Sequence, residues 1–265
     1  MTEDNKPQGV VLITGASSGI GKEFARLYAK RGFDLLLVAR REERLQAICQ
    51  RLQEYYGIKA DYIASDLSEP ASPQQLYDEV QRRGYTVGTL INNAGFGLAG
   101  GFASSELEQA MQMVQVNVDT LIELTALYLP GMVQRGSGDI INVASTAAFQ
   151  PVANLALYAG TKALVLNFSM AVWAEVKESG VRVLALCPGA TATAWADVAG
   201  MPTQAANRAV SPKQVVRGAL KALARNKGYV VIASPEQRLL KWAATIAPRR
   251  LIAQLTKRMI PTEGA

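Results

Sequence analysis

Val10-Val11-Leu12-Ile13-Thr14-Gly15-Ala16-Ser17-Ser18-Gly19-Ile20-Gly21 is the stretch that decides the fold. An apolar, β-branched run enters a glycine-rich turn, and a helix-period segment begins near Ile20 with no linker between. A strand, a tight turn and a helix N-terminus in register aim backbone N–H groups and the positive end of the helix dipole at one point, which favours a pyrophosphate. Gly15 permits the tight turn, Gly19 lets the backbone approach the phosphates, and Gly21 allows close helix–strand packing; Thr14, Ser17, Ser18 and Ile20 complete the candidate cradle. The spacing is Gly-x3-Gly-x-Gly, not the commoner Gly-x-Gly-x-x-Gly, so the strand and helix context carries the reading more than the glycines do.

Outward from this unit, short β-rich runs alternate with helix-period stretches. The expected strands are Val10 to Thr14, Asp34 to Ala39, Ala60 to Ala64, Thr89 to Asn92, Asp139 to Ala144, Val181 to Leu186 and Tyr229 to Ile232. Helices are expected at Ile20 to Arg31, Glu42 to Tyr56, Pro73 to Arg83, Glu106 to Val133, Leu155 to Ser179 and Pro212 to Asn226. This rhythm predicts an α/β doubly wound, Rossmann-type fold with a seven-stranded, mostly parallel sheet covered by helices on both faces. Residues 1–235 read as one dinucleotide-binding and catalytic domain, without a linker, repeat or low-complexity tract.

Composition narrows the chemistry. Histidine is absent, which excludes a Ser-His-Asp triad, a His-Glu-x-x-His zinc site and any imidazole acid or base. Proton transfer must fall to Tyr, Lys, Asp, Glu or Cys. Cys49 and Cys187, the two cysteines, lie far apart and read as inert core thiols in a reducing compartment, so no metal site is expected. The polar start, Met1 to Gly9, lacks a signal-peptide pattern, and the expected location is the cytoplasm. The +6 net charge is scattered and not interleaved with exposed-looking aromatics, which argues against nucleic acid and for a phosphorylated ligand.

At the end of the second strand, where an acidic residue would hold the ribose hydroxyls of NAD, stands Ala39-Arg40-Arg41. A carboxylate would repel a 2′-phosphate; a guanidinium binds it through charge-assisted hydrogen bonds, so Arg40 favours NADP. Tyr158 and Lys162 are four apart on an expected helix and share a face, where an ammonium beside a phenol is expected to lower its pKa. The spacing also occurs at Tyr55 and Lys59, but with Gly57 between its members, at a helix end, with no serine thirteen residues ahead; that copy reads as structural. Ser145 precedes Tyr158 by thirteen and follows the fifth expected strand at its carboxyl end, where open parallel sheets place ligands.

With Asn92-Asn93-Ala94-Gly95, Asn117 and Pro188-Gly189 added, the chain resembles a short-chain dehydrogenase/reductase of the compact single-domain branch, over about residues 8 to 235. The resemblance implies that Thr14 to Gly21 bind the dinucleotide, that Asp66 with Leu67 meets the adenine, and that Asn93, Ala94 and Gly95 brace the sheet beside the cofactor. It makes Asn117, Ser145, Tyr158 and Lys162 the catalytic set. Pro188, Gly189, Thr191 and Thr193 fall in the segment that holds the nicotinamide end. Ala144 stands where members often carry another serine, and Ser18 supplies no basic residue to the glycine turn.

The resemblance further implies hydride transfer between NADP(H) and a carbonyl or secondary alcohol, with Tyr158 as proton donor, Ser145 on the same oxygen, Lys162 on the nicotinamide ribose and Asn117 holding a water. Phe149, Leu155 and Trp195, with a loop from Ala190 to Val210 that includes Met201, suggest an apolar substrate: a ketone, a steroid or an acyl chain. Two rival readings stay open, a non-catalytic NADP-sensing module and a membrane-surface binding protein. The second draws on residues 236–265, a basic amphipathic extension with Leu239, Leu240, Trp242, Ile246, Leu251, Ile252, Leu255, Met259 and Ile260 among arginines and lysines and a break at Pro248. This extension is expected to pack on the domain or on a partner. The apolar residues around most of the Leu155 to Ser179 helix predict a subunit interface, in a homodimer or homotetramer.

Overall fold

The computed structural model describes residues 8–193, 195, 199–200, 209–235 and 247–259. Strand β1 (Val10–Thr14) is wholly buried, and α1 (Gly19–Ala29) turns back over it from the glycine turn. The same unit recurs: β2 (Leu35–Ala39), α2 (Glu42–Tyr56), β3 (Ala60–Ala64), α3 (Ser72–Arg82) and β4 (Val87–Asn92). After β4 come α4 (Leu107–Val114), α5 (Thr120–Gln134), β5 (Gly138–Val143), α6 (Ala156–Glu175), β6 (Val181–Pro188), α7 (Pro212–Leu223), β7 (Tyr229–Ile232) and α8 (Arg249–Met259).

The strands form one seven-stranded sheet in the order β3-β2-β1-β4-β5-β6-β7, and every pairing is parallel. Parallel strands need crossovers, and the helices that supply them cover both faces. Side chains alternate accordingly. Val11, Ile13, Leu35 and Leu37 face Phe24 of α1, Leu45 of α2 and Val215 of α7; Leu12, Leu36, Val38 and Leu90 face Leu76 of α3, Leu124 of α5 and Val172 of α6. β1, β2, β4 and β5 are buried along their whole length because neither face meets water, whereas the edge strands β3 and β7 are partly exposed.

The chain runs outward from β1 to β3 and then returns to β4 on the other side of β1, so a crevice opens beyond the carboxyl ends of β1 and β4. The two ends are stitched across it. The Thr14 hydroxyl accepts from the backbone N–H groups of Asn93 and Ala94, both at 3.0 Å, and the Asn93 amide donates to the carbonyls of Thr14 (2.9 Å) and Gly15 (3.2 Å). Asn92 points the other way and donates to Asn142 of β5 at 2.9 Å.

The single long helix expected from Glu106 to Val133 is interrupted: a π-helical turn at Gln115–Asp119 separates α4 from α5. Its centre is Asn117, fully buried, whose amide bonds outside its own helix. Residues 236–246 and 260–265, with Leu239, Leu240, Trp242, Ile246 and Ile260 of the expected amphipathic tail, lie outside the described residues, as does Met201. Within the described part of the tail, α8 follows Pro248 and its Thr256 hydroxyl accepts from the N–H of Ala153 at 3.1 Å. Among the described residues no helix is long and apolar enough to cross a membrane.

Candidate active site

The glycine turn has the geometry of a cradle. Gly15 and Gly19 sit at φ +64° and +54°, the left-handed region that disfavours other residues. Gly21 is required by proximity instead: a Cβ there would lie 2.6 Å from the Asn93 amide nitrogen and would overlap the Gly15 carbonyl. Ser18 is the N-cap of α1 but makes no side-chain cap bond, so N–H groups at the helix start are not covered by its hydroxyl.

Beyond β2, Arg40 is an exposed side chain 3.9 Å from Asp66, which follows β3 and accepts from the N–H and hydroxyl of Ser68. Arg41 reaches into the glycine turn, donating to the Ser17 hydroxyl at 3.1 Å. Burial, with smaller contributions from the like charges of Arg44 and Arg40, lowers its pKa. Arg40, the expected partner of a 2′-phosphate, thus stands beside Asp66, while Arg41 contacts the turn. Leu67 is buried, and its carbonyl accepts from Thr120 at 3.0 Å.

Ser145 leaves the end of β5 in extended conformation, and its hydroxyl accepts from the N–H of Ala147, starting a 3₁₀ turn at Thr146–Phe149. The same hydroxyl hydrogen-bonds the Tyr158 phenol. Tyr158 and Lys162 lie one turn apart on α6, both buried. The Lys162 ammonium donates to the Val143 carbonyl at 2.8 Å and stands 5.9 Å from the centre of the Tyr158 ring. Gly95 lines the same pocket, since a Cβ there would come 2.8 Å from Asn117 Oδ1 and 3.3 Å from Lys162 Nζ.

Asn117 reaches this group through its neighbours. Its oxygen accepts from the Phe96 N–H at 3.0 Å, and its nitrogen donates to the Phe96 carbonyl (2.9 Å) and to the Thr161 hydroxyl (3.2 Å). Thr161 in turn donates to the Tyr158 carbonyl at 2.7 Å. Nothing in the one-dimensional pattern marks Thr161, since its part depends on a helix turn meeting another helix.

The expected lowering of the Tyr158 pKa by Lys162 is not what the structure gives. Burial strips water from the phenolate and pushes Tyr158 up to about 12, with only the Ser145 hydrogen bond opposing it. Burial equally disfavours the ammonium, and Lys162 falls to about 8. Desolvation is the largest influence on both groups.

On the far side, β6 ends in Pro188-Gly189, with the Gly189 N–H donating to Ile232 of β7 at 2.9 Å. Thr191 bridges to Val210. Thr193 comes back to the glycine turn, where a Cβ on Gly19 would meet its methyl carbon at 3.1 Å. An apolar wall of Met113, Val152, Leu155 and Ala159, joined by Phe96, Leu98 and Trp195, surrounds Tyr158. Phe149 packs elsewhere, against Tyr229 at 6.2 Å. The structure therefore gathers Ser145, Tyr158, Lys162 and Asn117 in one cluster beside the glycine cradle.

A parallel sheet with a glycine cradle at its switch point and a Ser–Tyr–Lys cluster at its carboxyl edge defines a nucleotide-dependent dehydrogenase architecture. The family model for short chain dehydrogenases matches residues 9–201, and the chain belongs to that family. It is 37% identical over 199 residues to a putative ketoacyl reductase of Streptomyces coelicolor, the match covering 74% of each protein. It is 33% identical over 188 residues to the very-long-chain 3-oxoacyl-CoA reductase of Anas platyrhynchos; that match covers 69% of this chain and 59% of the length of the relative. A solved short-chain dehydrogenase from Sphingobium yanoikuyae in complex with NADPH has a TM-score of 0.80 and 33% identity, covering 97% of this chain and 98% of that one.

Proposed function

We propose that this chain is an NADP-dependent oxidoreductase that interconverts an apolar ketone and its secondary alcohol, with a 3-oxoacyl thioester as the first substrate class to examine. The observation that carries this is the meeting of Ser145 with the buried Tyr158 and Lys162 beside the glycine cradle. The left-handed glycines and the missing Cβ at Gly21 fit a dinucleotide backbone, and a bound NADPH supplies the hydride. The chain's own residues handle the other half of the reaction. Tyr158, protonated throughout the neutral range because its pKa is near 12, donates its proton to the carbonyl oxygen as negative charge develops there. Ser145, bonded to the phenol, holds the same oxygen.

Lys162 is proposed to bind a ribose hydroxyl and to place positive charge near the phenolate that forms. Asn117, fixed to Phe96 and Thr161, is proposed to order the water through which Tyr158 is reprotonated. Asp66 and Leu67 are assigned to the adenine, Asn93 to Gly95 to the cradle wall, and Pro188 to Thr193 to the nicotinamide end. Arg40, with Arg41 on Ser17, is assigned to the 2′-phosphate.

The apolar wall around Tyr158 supports a greasy carbonyl compound. The names of relatives, a ketoacyl reductase and a 3-oxoacyl-CoA reductase, support an acyl chain among such compounds. Exposed Leu107 and Met111 on α4 and Leu164 on α6 support a homo-oligomer, and a cytoplasmic location remains part of the proposal. The test follows NADPH and NADH absorbance against a panel of 3-oxoacyl thioesters, steroid ketones and aryl ketones. Consumption of NADPH in preference to NADH with an apolar ketone is expected. Tight NADPH binding without turnover on any carbonyl or alcohol would instead support the NADP-sensing reading.

A further inference from the structure

We infer that Trp195, held against Gly97, is the residue that decides which substituents a ketone carries past Tyr158. The inference rests on the proposed ketone reduction and names its discriminating wall. The indole of Trp195 lies on the ring of Tyr158, with centroids 5.0 Å apart and planes inclined by 46°. The backbone of Gly97 lies against both rings. A Cβ on Gly97 would come 2.6 Å from Trp195 Cζ2 and 3.3 Å from Tyr158 Cδ2, so a side chain there has no room while the indole keeps its place. Gly97 does not have the left-handed backbone of Gly15, and the demand for glycine comes from Trp195 itself.

The wall is also anchored. The Trp195 backbone N–H donates to the Thr193 hydroxyl at 3.3 Å, and Thr193 lies beside Gly19 of the glycine turn. The Trp195 carbonyl accepts from the Ala199 N–H at 2.9 Å, and the Ala199 carbonyl accepts from the Ala99 N–H at 2.8 Å, tying the two sides together. The Gly100 N–H donates to the Asn154 carbonyl at 2.9 Å, next to Leu155 of the opposite wall. A large, rigid aromatic thus covers one side of the proton donor. A ketone whose carbonyl reaches Tyr158 and Ser145 must turn a slender substituent toward the indole and lay its bulky one elsewhere. The site is built for ketones with at least one slender, unbranched arm, and against ketones with two bulky arms.

The experiment measures kcat/KM for a straight-chain 3-oxoacyl thioester and for a diaryl ketone in wild type, Trp195→Ala, Trp195→Leu, Gly97→Ala and the Gly97→Ala/Trp195→Ala double variant. Trp195→Ala should move the ratio toward the diaryl ketone by about tenfold or more, the scale of pocket-size discrimination, with Trp195→Leu intermediate. Gly97→Ala alone should impair both substrates. With alanine at 195 the same change should cost much less, because only the 3.3 Å contact with Tyr158 is left to relax. An unchanged substrate ratio in whichever Trp195 variant folds overturns the inference, and so does an equal cost of Gly97→Ala in both backgrounds. Absence of wild-type turnover on any ketone would strike the proposed reaction instead, which separates the two failures.

Discussion

The chain carries Tyr-x3-Lys twice, at Tyr55/Lys59 and at Tyr158/Lys162, and the two copies meet opposite fates. α2 ends at Tyr56, Gly57 turns left-handed at φ +65°, and Lys59 falls beyond the helix, so the first pair shares no helical face. Tyr55 is 80% exposed. The second pair sits inside α6, buried on one face, with Ser145 delivered to the phenol from the end of β5. Spacing alone puts two groups on one face only if the helix continues through both. Chemistry then depends on what the tertiary fold removes, which here is water, and on what it adds, which is a hydroxyl partner.

The widest separation between the copies should appear on removing the ammonium. Lys162→Met is expected to lower turnover by about 10²- to 10³-fold, as for a lost electrostatic stabiliser, while Lys59→Met leaves steady-state rates unchanged. The pH profile of wild type carries the same information. With Lys162 near 8, reduction should be level below that pH and fall as pH rises through about 8. Tyr158, near 12, keeps its proton over this range and contributes no fall there. A rate that stays level to pH 10 would contradict a role for the ammonium.

Arg40→Asp should act more mildly, because it touches binding and not proton transfer. Losing a charge-assisted bond costs about 1.5–3 kcal/mol, or roughly ten- to a hundredfold in NADP affinity, with Arg41 on Ser17 retaining part of the contact. NAD should bind no worse. Dissociation constants for both cofactors at one salt concentration check it, and an unchanged ratio would remove Arg40 from the site.

The smallest effect concerns stability and has an unusual sign. Lys162 titrates at 10.5 in its reference state and near 8 when buried. The unfolded chain therefore binds more protons between these values, and the burden of the buried ammonium is fully present below about pH 8 and relieved as pH rises toward 10.5. At pH 7 Lys162→Met should stabilise the cofactor-free protein by about 1–3 kcal/mol, less what the Val143 carbonyl loses as an unpaired acceptor. Thermal melts at pH 7 and at pH 10 check it: the advantage of the variant should shrink at the higher pH, and a destabilised variant at pH 7 would be the wrong sign.

The same contrast explains how much could be read in advance. The β1–turn–α1 unit is legible because apolar periodicity changes at the glycines, and the inner strands because burial on both faces makes them mostly apolar runs. Ser145, Tyr158 and Lys162 are legible as a spacing strengthened by its companions. The π turn at Asn117 is not, since no proline or glycine marks it and its cause is a set of bonds to Phe96 and Thr161. The rise of the Tyr158 pKa is equally hidden, because burial is a property of the packed fold. Arg41, Thr161 and the fit of Gly97 to Trp195 depend on segments remote in sequence, and no local pattern encodes them.

The measurement that bears most directly on the account is the paired kinetics of Tyr158→Phe and Tyr55→Phe, with NADPH affinity determined for each. Tyr158→Phe keeps the ring, so cofactor binding should stay near wild type while turnover falls by about 10²- to 10⁴-fold, the range for a lost general acid; Tyr55→Phe should match wild type in both. Retained turnover in Tyr158→Phe, or an equal loss in the two variants, would contradict the assignment of Tyr158 as the proton donor.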